Sequence, residues 1–309
     1  MNILLDFTTI KAAKRNDASN PITAAFFALM EGIKQTKHKL VASAQEADCV
    51  FVFGSITKRK PDTERAKSIQ SHRRNNKKIL SLDSALFSTY IRRHLQSSET
   101  WFFRIGLGDC TGEGNFLNEN APRTRYEALS KTFNFSMCPP RRDNTLPIFF
   151  ALQSEKGWTY DEEEPYYQWA KRTIGEIRNH TDRTIILKPH PNTDRHPIEW
   201  ITEGHTNIKI LRQDPSRRDI IDDLRGVGAF VTHSSSAACE SYVEGIPTFA
   251  LNKRCVVYNT CEKDLSKINK IETINWLDRP QTLWNWAYTS WHVNELKNPA
   301  LINYYMDRL

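Results

Sequence analysis

The chain has 309 residues, with 43 Lys and Arg against 36 Asp and Glu and a formal net charge of +7. That length exceeds a single small module and suits one large or two ordinary domains, and 39% apolar with 11% aromatic residues excludes disorder by composition. No uncharged apolar run approaches the roughly 18 residues of a membrane span, and the start, MNILLDFTTIKAAKR, lacks a basic stretch followed by an apolar one. A soluble, unsecreted, cytoplasmic protein is expected.

Short β-rich runs alternate with helical stretches through the first half, the pattern of a parallel sheet covered by helices. Strands are expected at 1–7 (MNILLDF), 48–53 (DCVFVF) and 78–82 (KILSL). Between the first two, Ser19-Asn20-Pro21 announces a helix with capping side chains and a proline at its first position. Ile22, Ala25, Phe26, Leu29 and Ile33 follow at helical spacing. A second helix is expected from about Pro61 and a third from about Asp83, with Leu86, Tyr90 and Leu95 on one side.

The segment 57–78 carries nine basic residues, including Lys58, Arg59, Lys60, Arg73, Arg74, Lys77 and Lys78, against Asp62 and Glu64. It reads either as a solvated helix with basic flanks or as a surface for a polyanion such as nucleic acid, bound with counterion release and strong salt dependence. Residues 1–150 hold 23 Lys and Arg against 14 Asp and Glu, a balance of +9, which leaves −2 for residues 151–309.

The run 101–107 (WFFRIGL) closes the first half as a strand, and GLGDCTGEGNFLNENAPRTR after it, with glycines at 106, 108, 112 and 114, must be a loop. Beyond the turn-rich 138–144, strands are expected at 147–152, 184–187, 207–211, 228–232 and 248–251. A helix over 165–179 presents Tyr166, Trp169, Ile174 and Ile177 behind the acidic start Asp161–Glu164. An aromatic-rich helical segment spans 282–306. The expected organisation is a first Rossmann-like domain at 1–140, a second at 141–280, and a C-terminal helical segment at 281–309 packing back toward the first. The six cysteines form no C-x-x-C pair and read as reduced thiols; Cys255 and Cys261 match no common metal spacing.

The most informative segment is VGAFVTHSSSAACESYVEGIPTFAL, residues 227–251. An apolar strand runs into His233, Ser234, Ser235 and Ser236 and then into a helix of small residues. Free backbone N–H groups, the helix dipole and hydroxyls would converge there on an anion; alternatively the serines merely cap the helix. Glu240 and Glu244 lie on one helix face and could accept from ribose hydroxyls. Upstream, Lys188-Pro189-His190-Pro191 ends another strand with a cation and an imidazole between prolines. Because His190 and His233 each follow a strand of the same domain, they are expected to face a shared cleft.

KPHP together with THSSSAACESYVEGIPTF resembles the donor half of GT-B glycosyltransferases, particularly the capsule-polysaccharide type. The resemblance implies an α/β fold of two Rossmann-like domains facing across a cleft. It places Ser234, Ser235 and Ser236 near the phosphates of a nucleotide diphosphate, Lys188 and His190 offsetting its charge, and Glu240 or Glu244 near the ribose. RIGLGDCTGEGNFLNENAPRTRY, LQSEKGWTYDEEEPYYQWAKRTIGEIRNHTDR and LKPHPNTDRH together resemble phage-encoded glycosyltransferases that decorate hydroxymethylated pyrimidines in DNA. The resemblance covers about residues 100–250; the first 100 match no family.

On that reading a UDP-sugar is the donor, DNA the acceptor, and glycosylation protects phage DNA from nucleases inside the host cytoplasm. No D-x-D motif occurs, and such enzymes usually use no bound metal, so neither a metal, another tightly bound cofactor, a membrane nor an obligate protein partner is expected. The acceptor hydroxyl needs a base, for which Asp109 and Glu113 in the glycine-rich loop are the candidates. A base inside a duplex must be flipped out, with Trp101, Phe103, Phe116 and Trp158 as possible stacking platforms. Arg104, Arg123 and Arg125 flank the loop and are expected, with Arg73, Arg74, Lys77 and Lys78, to hold DNA phosphates. The alternatives are a glycosyltransferase of surface polysaccharide or lipid, a nucleic-acid-binding protein without catalysis, and a sugar-nucleotide epimerase.

Overall fold

In a computed structural model the chain is described over residues 1–56, 63–93, 98–116, 118–153, 159–190, 197–211, 220–275 and 278–309. Lys58, Arg59, Lys60, the helix start expected at Pro61, Leu95, Trp158 and the 191–196 half of LKPHPNTDRH lie outside those residues. In chain order the elements are β1 (Asn2–Leu5), α1 (Pro21–Lys34), β2 (Lys39–Leu40), β3 (Cys49–Phe53), α2 (Glu64–Arg74), β4 (Lys78–Ser84), α3 (Ser88–Arg93), β5 (Phe102–Leu107) and α4 (Thr124–Phe133). Then follow β6 (Ile148–Ala151), α5 (Tyr166–Arg178), β7 (Ile185–Lys188), α6 (Ile198–Thr202), β8 (Ile208–Ile210), β9 (Ala229–Thr232), α7 (Ala237–Val243), β10 (Thr248–Ala250), α8 (Arg279–Ala287), β11 (Ser290–His292) and α9 (Pro299–Met306). The fold is α/β. It divides into a first unit of Met1–Phe133 with Leu283–Leu309 and a second of Asn134–Thr282.

In the first unit the strands of one sheet run in the order β11-β5-β4-β3-β1-β2. β2, β1, β3 and β4 are parallel, whereas β5 pairs antiparallel with β4 and β11 antiparallel with β5. Three expectations are corrected here. The first-half sheet is not wholly parallel, and the 282–306 segment is two helices around an edge strand, because Ser290 to His292 continue the sheet beside Arg104 to Phe102. The third helix starts at Ser88 rather than near Asp83, because Asp83 and Ser84 still pair with Arg104 and Phe103.

α1 starts as its sequence dictates: the Asn20 side chain accepts from the Ile22 N–H, Pro21 occupies the first turn, and Ala25, Phe26, Leu29 and Ile33 are buried. α2 is capped by Thr63, which accepts from the Ala66 N–H, and it turns Ile69 into a cluster with Val50, Val52 and Ile79.

The second unit holds a sheet that is parallel throughout, in the order β10-β9-β6-β7-β8. β6, β9 and β10 are buried at every position, as cover on both faces requires, whereas the edge strand β8 exposes Lys209. Ile148, Phe150, Ile185, Leu187, Ala229 and Val231 pack with Tyr166, Trp169, Ile174 and Ile177 of α5 in one core. Numbered from β6, the order is 3-2-1-4-5, so the chain reverses direction across the sheet between β6 and β9. Such a reversal opens a crevice at the carboxyl ends of the two strands. In the first unit the equivalent reversal lies between β1 and β3.

Candidate functional site

At the carboxyl edge of the second unit, β6 ends toward Gln153, β7 toward Lys188 and His190, β9 toward the THSSS run, and β10 toward Asn252. Strand pairing fixes their levels: Thr232 Oγ1 donates to the Ala151 carbonyl at 3.0 Å, and the Asn252 N–H donates to the His233 carbonyl at 3.1 Å. His190 and His233 flank β6 from β7 and β9, which are not adjacent in the sheet.

Gln153 follows β6 and ties its end to the THSSS run. Its Oε1 accepts from the Ser234 N–H at 3.0 Å and the Ser234 hydroxyl at 2.8 Å, and its backbone N–H donates to Tyr166 Oη at 2.8 Å. Its Nε2, with the side chain only 4% exposed, has no hydrogen-bond partner among the described residues. A buried amide donor left unmet costs about 1–3 kcal/mol.

His233 is not an open imidazole. It is 1% exposed, ringed by Tyr160, Tyr166 and Trp169, with Nδ1 2.9 Å from Ser234 Oγ and Nε2 3.3 Å from Glu162 Oε1. Burial pushes its pKa down to about 4, Glu162 opposing and Arg254 assisting, so the ring is neutral at pH 7 and cannot offset a diphosphate. The expectation that His190 and His233 face a shared cleft is corrected for His233, which the aromatic side chains of the β6–α5 connection and α5 enclose. His190 is half-buried.

The serines separate into two roles. Ser234 is buried and structural, its backbone N–H held by Gln153 Oε1 and its single hydroxyl proton shared between that oxygen and the Thr159 carbonyl at 3.0 Å. Ser235 is half-buried and accepts from the Ala237 N–H at 3.3 Å, while Ser236 is exposed and makes no side-chain cap. α7 is only two turns long, and Arg279 closes its far end by donating to the Tyr242, Val243 and Cys138 carbonyls. The glycine after it is compulsory: Gly245 has φ +71, and a Cβ there would lie 2.1 Å from the Pro139 carbonyl oxygen. Glu240 is 2% exposed, whereas Glu244 is half-buried with Oε2 3.6 Å from Cys138 Sγ. The two thus share a helix side but not an environment.

Lys188 Nζ is held by Asp223 Oδ2 at 2.7 Å. Glu162 also accepts from Asn252 Nδ2 at 2.5 Å, and Arg254 stands 3.7 Å from Asp161. Gln153, Glu162, Asp223, Asn252 and Arg254 were missed by sequence reasoning. The signal available for the first was its place directly after an apolar strand.

In the first unit the glycine-rich loop folds back over β5. Asp109 is 6% exposed; it accepts from Ser55 Oγ at 2.5 Å, the Thr111 N–H at 2.8 Å and Arg73 Nη2 at 3.4 Å. Glu113 is exposed on the same loop. The glycines serve close approach: a Cβ on Gly106 or Gly114 would lie 2.2 or 1.9 Å from the Asp109 carbonyl oxygen.

At the reversal between β1 and β3 stands a carboxylate the sequence reading missed, Asp6, which accepts from His72 Nε2 at 3.0 Å, from Ser68 and from the Thr8 N–H at 3.0 Å. Burial acts to raise its pKa, and these bonds from His72, Ser68 and Thr8 outweigh burial and hold it below the usual carboxylate value.

The basic residues divide. Arg104 is buried at 4% exposure, donating to Asp83 Oδ2 at 2.6 Å, to the Cys110 carbonyl at 2.7 Å and to the Ser84 carbonyl. Arg125 is bidentate to Glu295 at 2.7 and 2.6 Å, and its guanidinium lies 4.2 Å from the Trp291 ring centroid. Both hold the first unit together, so their expected role on DNA phosphates is corrected. Arg123 is exposed beside Glu127. Arg73 is half-committed to the Gly108 carbonyl and Asp109, and Lys77 donates to the Ala47 carbonyl at 2.6 Å. Arg74 and Lys78 are exposed.

Arg74, Lys77 and Lys78 sit where α2 ends and β4 begins, at the amino edge of the parallel strands and opposite the β1–β3 crevice. Of the aromatic platforms, Phe103 is buried in the sheet, while Trp101 and Phe116 are half-buried.

Among the described residues no group of His, Cys, Asp or Glu is arranged to hold a metal ion. Among the described residues no two cysteines are joined in a disulfide, and no helix is long and apolar enough to cross a membrane.

No protein-family model matches the chain, and no curated protein matches it. Among solved structures it is similar to the beta Kdo 2,4 transferase of Thermosulfurimonas dismutans KpsC, at 14% identity and a TM-score of 0.45, covering 88% of this chain and 89% of that one. The beta Kdo 2,7 transferase of the same KpsC gives 11% identity and 0.41, over 93% and 98% of the two chains. The UDP co-structure of S. aureus MnaA gives 12% and 0.34, over 100% and 97%.

Proposed function

We propose that this chain is a glycosyltransferase that binds a nucleotide sugar, a UDP-sugar, in the β6–β9 crevice of its second unit and transfers the sugar to an acceptor hydroxyl. The observation that carries this reading is the 3-2-1-4-5 strand order, which sets the end of β6 beside THSSS at the reversal of the sheet, where open α/β sheets bind their ligands. Ser235 and Ser236 are the accessible hydroxyls there, and Lys188 and His190 stand at the end of the neighbouring strand. The diphosphate leaves without a metal, its oxygens met by the Ser235 and Ser236 hydroxyls, by backbone N–H groups and by the cation of the Lys188–Asp223 ion pair.

The acceptor proposed is a hydroxymethylated pyrimidine in phage DNA, bound through the first unit, with Glu113 as the base. Asp109, tied to Ser55, Thr111 and Arg73, is the less available carboxylate. A second reading, a saccharide acceptor of the surface-polysaccharide kind, is favoured by one observation: Arg104 and Arg125 are consumed internally, and Arg74, Lys77 and Lys78 lie away from the β1–β3 crevice.

One experiment separates the readings. Purified protein is incubated with labelled nucleotide sugars and, separately, with DNA containing cytosine, hydroxymethylcytosine or hydroxymethyluracil and with oligosaccharides. Label in hydroxymethylated DNA supports the DNA acceptor, and label in oligosaccharide alone supports the second reading. Transfer to neither, with every donor, refutes the glycosyltransferase assignment.

A further inference from the structure

Gln153, which follows β6, is buried with its amide nitrogen unused among the described residues. Its orientation is settled by chemistry. The Ser234 backbone N–H can only donate, so the amide atom 3.0 Å from it must be the oxygen. With Ser234 Oγ at 2.8 Å on the same oxygen, the carboxamide is clamped, and its NH2 is held in one direction without a partner among the described residues. Most buried side-chain donors are paired, and each exception calls for a partner such as an ordered water, an ion or a ligand. Here the unused donor stands at the end of the first strand of the sheet, at the reversal of strand order.

We propose that Gln153 is a donor-binding residue whose Nε2–H donates to a phosphate oxygen of the nucleotide sugar, with Ser234 fixing the amide for that purpose. The inference rests on the nucleotide-sugar reading above and adds the residue that reads the diphosphate from the β6 side. A neutral amide suits the position, because it grips an anion without the desolvation cost of a buried cation.

The test is calorimetric titration of the full chain with UDP, for wild type and Gln153→Glu. The carboxylate of Gln153→Glu still accepts from Ser234 but no longer donates and repels phosphate, so UDP binding should weaken by about tenfold or more. Should that variant fail to fold, side-chain amide NMR of the wild type decides, with Gln153→Met identifying the resonance pair. UDP should shift the Gln153 NH2 pair and slow its exchange. Binding by Gln153→Glu within about twofold of wild type, or an NH2 pair unmoved at saturation, overturns the proposal while leaving the nucleotide site standing. Absence of UDP and other nucleoside diphosphate binding by the wild type overturns both.

Discussion

Lys188 Nζ lies 2.7 Å from Asp223 Oδ2, with 14% and 17% of the two side chains exposed, so the cation at the end of β7 is already neutralised by the protein. An arriving diphosphate meets an ion pair rather than a bare ammonium. Asp223→Asn keeps an acceptor for Lys188 and removes one negative charge beside the crevice. UDP affinity should therefore rise by about threefold to tenfold. Calorimetry reads this directly, and weaker binding would mean that Lys188 needs the carboxylate to hold it in place.

His233 gives a pH prediction with a definite sign. Its pKa falls from the ordinary imidazole value of 6.5 to about 4 on folding, chiefly through burial. The unfolded chain therefore binds more protons than the folded one between those values, and stability present above pH 6.5 is lost as pH falls toward 4. The thermal midpoint of wild type should drop through that window, and that of His233→Gln should drop less. Parallel curves would show that the acid loss originates elsewhere.

The glycine-rich loop predicts a graded series. Gly106→Ala and Gly114→Ala press a methyl group into the Asp109 carbonyl and should cost about 1–3 kcal/mol each. Gly108, with φ +81 and open space around it, should cost about 1 kcal/mol through backbone strain alone. Denaturant midpoints check the order, and equal losses at all three would contradict the close packing.

Arginine substitutions should separate structure from surface. Arg104→Ala leaves Asp83 half-buried and two carbonyls without their donor, a loss of about 3 kcal/mol. Arg74→Gln with Lys78→Gln should change stability by less than about 0.5 kcal/mol and, if DNA is the acceptor, weaken DNA retention and flatten its salt dependence. Unaltered DNA retention in this pair would remove the basic segment from the acceptor surface.

Much of the fold was legible because its signals are local. CVFVF is buried at every position, and Asn20-Pro21 caps and opens α1 as its chemistry requires. Strand direction is not local: WFFRIGL reads as a strand from its own residues, but only its pairing with Asp83 and with Ser290 to His292 makes it antiparallel.

The site was legible in part. THSSS and KPHP stand at the carboxyl edge where a ligand site belongs, yet counting charges gave Arg104 and Arg125 a surface role that burial denies them. Gln153 escaped notice because a neutral amide carries no charge or titration to mark it. Its unmet donor emerges only when Ser234, 81 positions away, is brought against it.

Hydrogen exchange of the full chain with and without UDP tests the central claim most directly. UDP should slow exchange in the peptides covering 148–153 and 229–240 and leave β1, β3 and β4 of the first unit unchanged. Protection confined to the first unit, or none at saturating UDP, would contradict a nucleotide-sugar site at the β6–β9 crevice.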